Sequence, residues 1–223
     1  MCRSVPDLIH KIMEVYIDDF IVWTQSEDEL ITRLETVFQR VREKRLKLNP
    51  KKCKFGMREV EYCGHLLTSE GVTFSAERIN EVADFEVPQT HGGLKSFLGM
   101  AGYMREHVDH YGDLVHPLQT IVGHYTKKNK TNILNGLPKN LQAFQDFKDA
   151  ISKIQTLYHR DNDTDLRLYT DASKYGIGAY LCQTVLNSEA KLVEQPLGFI
   201  SKSLTETERR WSVYKEAYAI FYA

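Results

Sequence analysis

Two adjacent carboxylates, Asp18 and Asp19, are the first residues of this sequence whose type and spacing could carry chemistry. They interrupt a run of β-branched and aromatic residues from Met13 to Thr24, which predicts a strand, a tight turn and a second strand. Aspartate oxygens are ligands that suit Mg²⁺, and two such ions about 3.5–4 Å apart can activate an attacking 3′ oxygen and stabilise a leaving pyrophosphate. The alternative is that the two residues only form the turn.

The element after this hairpin is predicted from its capping residues. Ser26 and Glu29 have the spacing of a capping box, and apolar residues follow at helical intervals, so we expect a helix from about 27 to 45. Asn49-Pro50 ends that helix, because the residue before a proline avoids the helical conformation. Short strand-like segments separated by glycine turns come next.

The rest of the chain reads as helices followed by strands. Helices are expected where a capping residue precedes an apolar face, over 75–85, from Thr90 onward, over 111–122 and over about 141–154. Strands are expected over 166–171, 176–183 and 196–201, and a second capping box, Thr205 with Glu208, opens a final helical region. The polar, lysine-rich stretch between the helix over 111–122 and the helix over about 141–154 is the best linker candidate, which we place at 126–137.

The composition of the chain excludes few functional classes. The formal net charge is −1, so no global basicity indicates a nucleic-acid partner. The four cysteines, Cys2, Cys53, Cys63 and Cys182, show no zinc-ribbon spacing and favour reduced thiols over a disulfide framework. No apolar run is long enough to span a membrane and the N-terminus lacks a signal-peptide pattern, so we expect no membrane partner and an intracellular location, cytoplasmic or nuclear.

A series of motifs accompanies the carboxylate pair. Tyr16-Ile-Asp-Asp19 is followed in order by Ser26-Glu-Asp-Glu-Leu30, Leu46-Lys-Leu-Asn-Pro-Lys-Lys-Cys53, Glu61-Tyr-Cys-Gly-His65 and Ser96-Phe-Leu-Gly-Met-Ala-Gly-Tyr103. In this order and spacing they resemble the reverse transcriptase of long-terminal-repeat retrotransposons of the gypsy (Ty3-like) type, and the resemblance extends from about Val15 to Ala223. It implies an α+β fold made of a partial reverse-transcriptase palm (1–72), a helical thumb (73–125), the linker, and the N-terminal half of a ribonuclease H-like α/β domain (138–223).

The resemblance also assigns roles to residues. Asp18 and Asp19 match the catalytic, metal-binding pair of the palm, Tyr16 the aromatic residue that lies against template and primer, and Cys63-Gly64-His65-Leu66 the primer grip. The segment Leu168-Tyr-Thr-Asp-Ala-Ser173 resembles the opening of the ribonuclease H domain, so Asp171 matches its first-strand aspartate and Glu216 its helix glutamate, both catalytic and metal-binding. The implied metal is Mg²⁺ or Mn²⁺.

The family implies an RNA-directed DNA polymerase with ribonuclease H, acting on an RNA/DNA template–primer duplex or hybrid within a polyprotein. Two departures from the family pattern stand out. A third metal-binding aspartate and the fingers are not found in the fourteen residues before Val15, and the later ribonuclease H carboxylates would lie beyond Ala223. We therefore expect residues 1–223 alone to be inactive. The alternative is a non-catalytic module that binds nucleic acid, and the oligomeric state is not predicted.

The sequence also contains three weaker patterns. A basic run from Arg40 to Lys54 could follow a phosphate backbone, although a solvated helix face explains much of it. His107, His110 and His116 have near-helical spacing but no carboxylate or cysteine partner, which favours surface histidines over a zinc site. Residues 161–165 begin like a calcium loop but lack its glycine and its final glutamate, which favours a polar turn.

Overall fold

Antiparallel hairpins and amphipathic helices alternate along the chain, and the computed structural model describes residues 6–124, 138–211 and 214–223. The expected mixture of helices and strands is confirmed. The chain divides into two units, one ending at residue 69 and the other beginning at residue 70.

The first unit contains two hairpins and one long helix. Strands β1 (Met13–Tyr16) and β2 (Asp19–Val22) pair antiparallel, as do β3 (Val60–Tyr62) and β4 (His65–Leu67). Helix α1 spans Glu27–Glu43. Its apolar face contacts the first hairpin in a small core formed by Leu8, Met13, Val37 and Val41. The hairpin is thereby fixed to a helix that is about 25 Å long.

Both ends of α1 follow from local chemistry. The Ser26 hydroxyl accepts a hydrogen bond from the Glu29 amide at 3.3 Å, whereas the Glu29 carboxylate accepts from the Gln25 amide rather than closing the reciprocal bond of a capping box. The helix ends two residues before the predicted end because Arg45 adopts a left-handed conformation with φ of 53°. The Leu46 amide then donates to the Val41 carbonyl, which ends the helix.

The second unit begins with strand β5 (Gly71–Thr73) and continues with four helices around an aromatic core. The helices are α2 (Ala76–Ala83), α3 (His91–Gly102), α4 (Tyr111–His124) and α5 (Pro138–Ile151). Ser75 and Thr90 cap α2 and α3 as predicted. Fully buried Phe97 lies at the centre, with its ring centroid 4.7 Å from that of Phe144 and 5.7 Å from that of Phe147.

The predicted boundary between the thumb and the ribonuclease H-like segment does not divide this core into two. Phe144 and Phe147 of α5, which the sequence assigns to the ribonuclease H-like segment, are buried together with Phe97 of α3, which it assigns to the thumb. The predicted linker, 126–137, lies outside the described residues. The boundaries at 72, 125 and 138 therefore stay predictions.

A three-stranded antiparallel sheet follows the helices. It consists of β7 (Leu166–Ala172), β8 (Gly176–Leu186) and β9 (Leu192–Ser203), in that order, while the short strand β6 (Leu157–Tyr158) pairs with β5. The three predicted strands are confirmed, and β8 and β9 are longer than expected. A turn that begins at Asn187 joins these two longer strands. The Asn187 side chain accepts hydrogen bonds from the amides of Glu189 and Lys191.

The sheet has two distinct faces. Ile177 and Ala172 pack with Leu204 and with Ala219 of the final helix, α6 (Tyr214–Tyr222). The residues next to them along each strand point to the opposite face, where the Ser201 hydroxyl accepts a 2.6 Å hydrogen bond from the amide of Gly112 in α4. The Thr205–Glu208 capping box forms, but it leads into a short 3₁₀ helix rather than directly into α6.

The prediction of a surface location is wrong for His107. Its side chain is 3% exposed, its Nδ1 lies 3.0 Å from the Gln155 carbonyl oxygen, and its ring packs edge-on against Phe74. A histidine can fill such a core position when its ring nitrogens find partners. At residues 161–165 the Asp161 carboxylate accepts from the Asp163 amide, which confirms the polar turn.

Candidate catalytic and nucleic-acid-binding sites

Asp18 and Asp19 lie at the tip of the β1–β2 hairpin. Tyr16 pairs with Asp19, so the loop is only two residues long, Ile17 and Asp18, and Asp19 is the first residue of β2. Both carboxylates are exposed. Within the described ranges neither makes a hydrogen bond or an ion pair. Two adjacent carboxylates without a protein cation have their oxygens available to a divalent metal.

Ile17 holds this tip in an unusual backbone conformation. Its φ is 53°, whereas a β-branched residue normally avoids positive φ, and its side chain is 67% exposed. Positive φ at the first loop residue alone is typical of a type II′ hairpin turn, for which glycine is preferred. Such a conformation costs about 1–3 kcal/mol and must be maintained by the structure around it. Here the strands packed against α1 supply that support.

The β3–β4 hairpin carries the residues assigned to the primer grip. Cys63 and Gly64 have φ of 51° and 75°, the pattern of a type I′ turn, and Tyr62 pairs with His65 across it. The imidazole Nδ1 of His65 lies 3.2 Å from the Cys63 carbonyl oxygen, which orients the ring. Leu66, like the other three grip residues, is half-buried.

An electrostatic effect connects the two hairpins. Burial, followed by the neighbouring Cys63, Glu14 and Asp19, raises the pKa of Tyr62 to about 12. The Tyr62 phenol therefore stays protonated at neutral pH. Asp19, at the tip of the first hairpin, is thus one of the charges that act on Tyr62 of the second hairpin. Tyr16, at the end of β1, is 59% exposed beside the carboxylates.

Asp171 lies near the end of β7, in a small concavity. The concavity is lined by Asp113 and Gly112 of α4, by Ser173 in the turn after β7 and by Ser201 of β9. The Ser173 hydroxyl donates to the Asp113 carboxylate at 2.8 Å, although these two residues are 60 positions apart. The structure thus brings Asp171 close to a second carboxylate, Asp113, which no sequence motif marks.

Glu216 is placed differently. It is exposed in the first turn of α6, and α6 covers the sheet face to which Ala172 points. Because side chains alternate along a strand, Asp171 points to the other face, toward α4. Among the described residues, no group of three or more His, Cys, Asp or Glu side chains could hold a metal ion.

An aromatic and cationic cluster around Tyr175, in the turn after β7, was not predicted from sequence. The Tyr175 ring stacks on the His116 ring with centroids 4.6 Å apart, and the charged groups of Lys174 and Arg209 lie 5.5 and 5.4 Å from its centroid. Burial lowers the pKa of His116, and Arg209 lowers it further. No local sequence signal indicates this cluster, because its members come from α4, from the β7–β8 turn and from the segment before α6.

Two family models match the chain. Residues 1–67 match "Reverse transcriptase (RNA-dependent DNA polymerase)", and residues 138–223 match "RNase H-like domain found in reverse transcriptase". The Pol polyprotein of transposon 297 from Drosophila melanogaster is 29% identical over 217 residues, which is 97% of this chain. The Tf2-3 transposon polyprotein of Schizosaccharomyces pombe is 28% identical over 206 residues, or 92% of this chain. The chain therefore contains a reverse transcriptase segment followed by an RNase H-like segment, and it is similar to retrotransposon polyproteins over nearly its whole length.

The fold of this chain is similar to that of solved reverse transcriptases. A foamy viral protease–reverse transcriptase solved in complex with an RNA/DNA hybrid superposes with a TM-score of 0.78 at 20% identity, covering 99% of this chain and 28% of that one. The same kind of enzyme solved in complex with dsDNA gives a TM-score of 0.77 at 22% identity, covering 99% and 44%. The chain spans less than a fifth of each of the two polyproteins, 19% of the transposon 297 protein and 15% of the Tf2-3 protein.

None of the helices in the described ranges is both long and apolar enough to cross a membrane. Divalent metals are general to reverse transcriptase and ribonuclease H proteins, and the hard oxygen donors at the β1–β2 tip fit such an ion.

Proposed function

We propose that residues 1–223 supply the palm tip, the primer grip, the thumb and the start of the ribonuclease H region to a larger retroelement polyprotein that copies RNA into DNA. The observation that carries this proposal is the exposed Asp18–Asp19 pair at the tip of a rigidly supported hairpin, inside the segment that matches the reverse transcriptase model. The domains we propose are 1–72, 73–125 and 138–223, joined by a linker at 126–137.

The carboxylates have distinct roles in this proposal. Asp18 and Asp19 hold Mg²⁺ or Mn²⁺ for nucleotidyl transfer, and Asp171 with Glu216 contributes to the ribonuclease site. When bound, the metal ions supply charge that activates the attacking oxygen and stabilises the leaving group. The protein's own contribution is to keep the two aspartates side by side, which the two-residue loop ensures. Because Mg²⁺ is usually held by one or two carboxylates plus substrate phosphates, nucleic acid completes the site.

The nucleic-acid partner is an RNA/DNA template–primer duplex or hybrid. Tyr16 presents an exposed ring next to the carboxylates, and a base or sugar can pack against it. The Cys63–Gly64 turn, with both residues at positive φ, brings backbone close to a ligand without large side chains. These features lie on the two hairpins of the first unit, and both hairpins fall within the matched reverse transcriptase segment.

A second candidate function is nucleic-acid binding without catalysis by residues 1–223 alone. The observation that favours it is that no described group of three potential metal ligands exists at either carboxylate pair. On this reading the chain holds a duplex or hybrid, and chemistry requires carboxylates from elsewhere in the polyprotein. We place both functions inside the cell, as the relation to retrotransposon polyproteins suggests.

A photocrosslinking experiment tests the proposal. A template–primer carrying 5-iodouracil at the primer 3′ end is irradiated with the protein, and the attached peptides are identified by mass spectrometry. We expect the crosslinks to fall in 60–67 and 13–22. The same nucleotide placed at the far blunt end of the duplex is the control. Equal crosslinking from both positions, or none within these hairpins, would contradict the proposal.

A primer-extension assay separates the two functions. We expect residues 1–223 to bind the template–primer but not to extend it with Mg²⁺ or Mn²⁺, and a variant with Asp18→Asn and Asp19→Asn provides the baseline. Extension above that baseline would show that the pair is sufficient for catalysis and would reject the non-catalytic reading.

A further inference from the structure

Positive charge is concentrated in one segment of the first unit. Residues 42–54 contain seven Lys or Arg residues and a single acid, Glu43, although the whole chain has a net charge of −1. The cations are Arg42, Lys44, Arg45, Lys47, Lys51, Lys52 and Lys54, and all seven side chains are exposed. The remainder of the chain must therefore be clearly acidic, so this segment is the exception in its charge.

Intramolecular ion pairs do not account for these cations. Arg40, just before the segment, pairs with Asp7 at 2.6 Å and with Glu43 at 3.1 Å. By contrast, Lys51, Lys52 and Lys54 form no ion pair with any residue that the structure describes. The dipole of α1 can explain a cation in its last turn, such as Arg42, but not lysines that lie well beyond the helix end.

The segment is held in place rather than being a free basic tail. Leu46 and Leu48 pack against the core of the first unit. The Asn49 side chain accepts a 3.1 Å hydrogen bond from the Lys51 amide and caps the short 3₁₀ helix Pro50–Lys52. The Cys53 thiol donates to the Asn49 carbonyl at 3.3 Å. Ligand binding would therefore cost little backbone ordering.

Two exposed aromatic rings accompany the charge. Phe38 of α1 is 39% exposed and Phe55 is 56% exposed, and their rings meet edge to face with centroids 6.1 Å apart. Arg42 lies four residues after Phe38 and therefore on the same side of α1. Phe55 directly follows Lys54. Large aromatic rings that remain exposed beside unpaired cations form a stacking surface next to phosphate-binding groups.

We propose that this surface, defined as Phe38, Arg42, Lys51, Lys52, Lys54 and Phe55, binds single-stranded nucleic acid. The lysines contact successive phosphates, and unpaired bases stack on the Phe rings. Charge alone would attract any polyanion, but stacking requires bases whose faces are open, and a duplex does not offer them along its length. None of the six residues belongs to the β1–β2 tip or to the β3–β4 turn, so this binding does not depend on the proposed catalytic pair.

The contribution of the lysine charges to binding is tested by fluorescence anisotropy with a labelled oligo(dT) of 20 nucleotides. The protein is residues 1–223 with Asp18→Asn and Asp19→Asn, in EDTA, so that metal at the proposed catalytic site has no influence. We expect Lys51→Glu, Lys52→Glu and Lys54→Glu together to weaken binding at least ten-fold. The slope of log affinity against log salt should become shallower by about two, since each lost phosphate contact removes about 0.7 on a single strand.

The matched control carries Lys139→Glu, Lys153→Glu and Lys191→Glu, the same charge change at exposed positions of the second unit. We expect this control to weaken binding less than three-fold. Equal losses in the two triple variants would show only a net-charge effect and would overturn the proposal. Thermal melts of both variants confirm that they remain folded.

Stacking is tested separately. Phe55→Ala should weaken oligo(dT) binding about five-fold or more while leaving the affinity for a 20-base-pair duplex within two-fold. Met57→Ala is the control, because Met57 is 58% exposed nearby but has no ring. If Phe55→Ala affects duplex and single strand equally, or affects neither, the surface is not a single-strand site.

Discussion

The first and second units each present a candidate carboxylate pair, and the two pairs are built in opposite ways. Asp18 and Asp19 are adjacent in sequence, and a two-residue hairpin loop keeps them together. Asp171 and Glu216 lie on a strand and on a helix that meet through a small core of Ile177, Leu204 and Ala219, and Asp171 points to the face of the sheet opposite that helix. A local turn thus fixes the first pair, whereas the second depends on tertiary packing.

This difference has a physical consequence. Disturbing a core alters the relative position of a strand and a helix but hardly alters two neighbouring residues in a turn. The geometry of the second pair should therefore respond to packing mutations in its own unit, and that of the first pair should respond to the backbone conformation of its loop.

The largest effect is expected from Phe97→Ala. Phe97 is fully buried between Phe85, Phe144 and Phe147, and removal of such a ring typically costs about 3–5 kcal/mol in the free energy of unfolding. Urea denaturation measures the loss, and hydrogen exchange of peptides covering 13–22 should remain unchanged below the transition. Equal loss of protection in that hairpin would break the contrast between the two units.

A smaller, local effect is expected from Ala219→Asp. Ala219 is 2% exposed where α6 meets the sheet, and an unpaired charge there is strongly unfavourable. We expect α6 to detach while β7–β9 remain paired, with a loss of about 2–3 kcal/mol. Hydrogen exchange of 214–222 against 176–203 measures this, and Ala217→Asp, at an exposed position of the same helix, is the control. Unchanged protection of α6 would contradict the packing described.

A substitution in the β1–β2 loop should raise the free energy of unfolding, whereas the two core substitutions lower it. Ile17→Gly relieves a positive φ of 53° at a β-branched residue, and after the entropy cost of glycine the net stabilisation should be up to about 1 kcal/mol. Gly64→Ala, at φ of 75° in the other hairpin, should destabilise by about 1 kcal/mol. Chemical denaturation of the two variants compares them. The same sign for both changes would refute the strain assigned to Ile17.

The smallest effect concerns Glu208, which precedes α6. The Thr205 backbone amide, the Lys202 ammonium and the Thr205 hydroxyl lower the pKa of Glu208 to about 2. Since the folded pKa lies below the unfolded value of about 4.5, this carboxylate stabilises the fold above that pH. The contribution is lost as the pH falls from about 4.5 to 2. The difference in unfolding midpoint between wild type and Glu208→Gln should shrink over that range, and a constant difference would contradict the assignment.

The sequence predicted those features that depend on neighbouring residues. Ser26, Ser75 and Thr90 mark helix starts because a hydroxyl caps amides within three residues, and strand alternation identified the sheet. The β1–β2 hairpin was predictable because Asp18 and Asp19 interrupt an apolar run. Motif order carried the family assignment, which the two matched models confirm.

The features that escaped prediction depend on distant residues. His107 is buried because Phe74 and the Gln155 carbonyl surround it, and neither is near it in sequence. Asp113 joins Ser173 across 60 positions, so no local pattern places it beside Asp171. The φ of Ile17 follows from the loop being two residues long, a length that strand register rather than residue type determines. The roles assigned to Asp18, Asp19, Asp171 and Glu216 stay predictions.

Iron-directed cleavage tests most directly whether Asp18 and Asp19 share a divalent metal. Fe²⁺ replaces Mg²⁺ in the presence of template–primer, and ascorbate with peroxide generates radicals that cut the polypeptide close to the bound ion. We predict cleavage within β1 and β2 that excess Mg²⁺ suppresses and that is lost when Asp18→Asn and Asp19→Asn are combined. Cleavage that persists in this double variant, or that occurs only outside the β1–β2 hairpin, would contradict the proposed catalytic site.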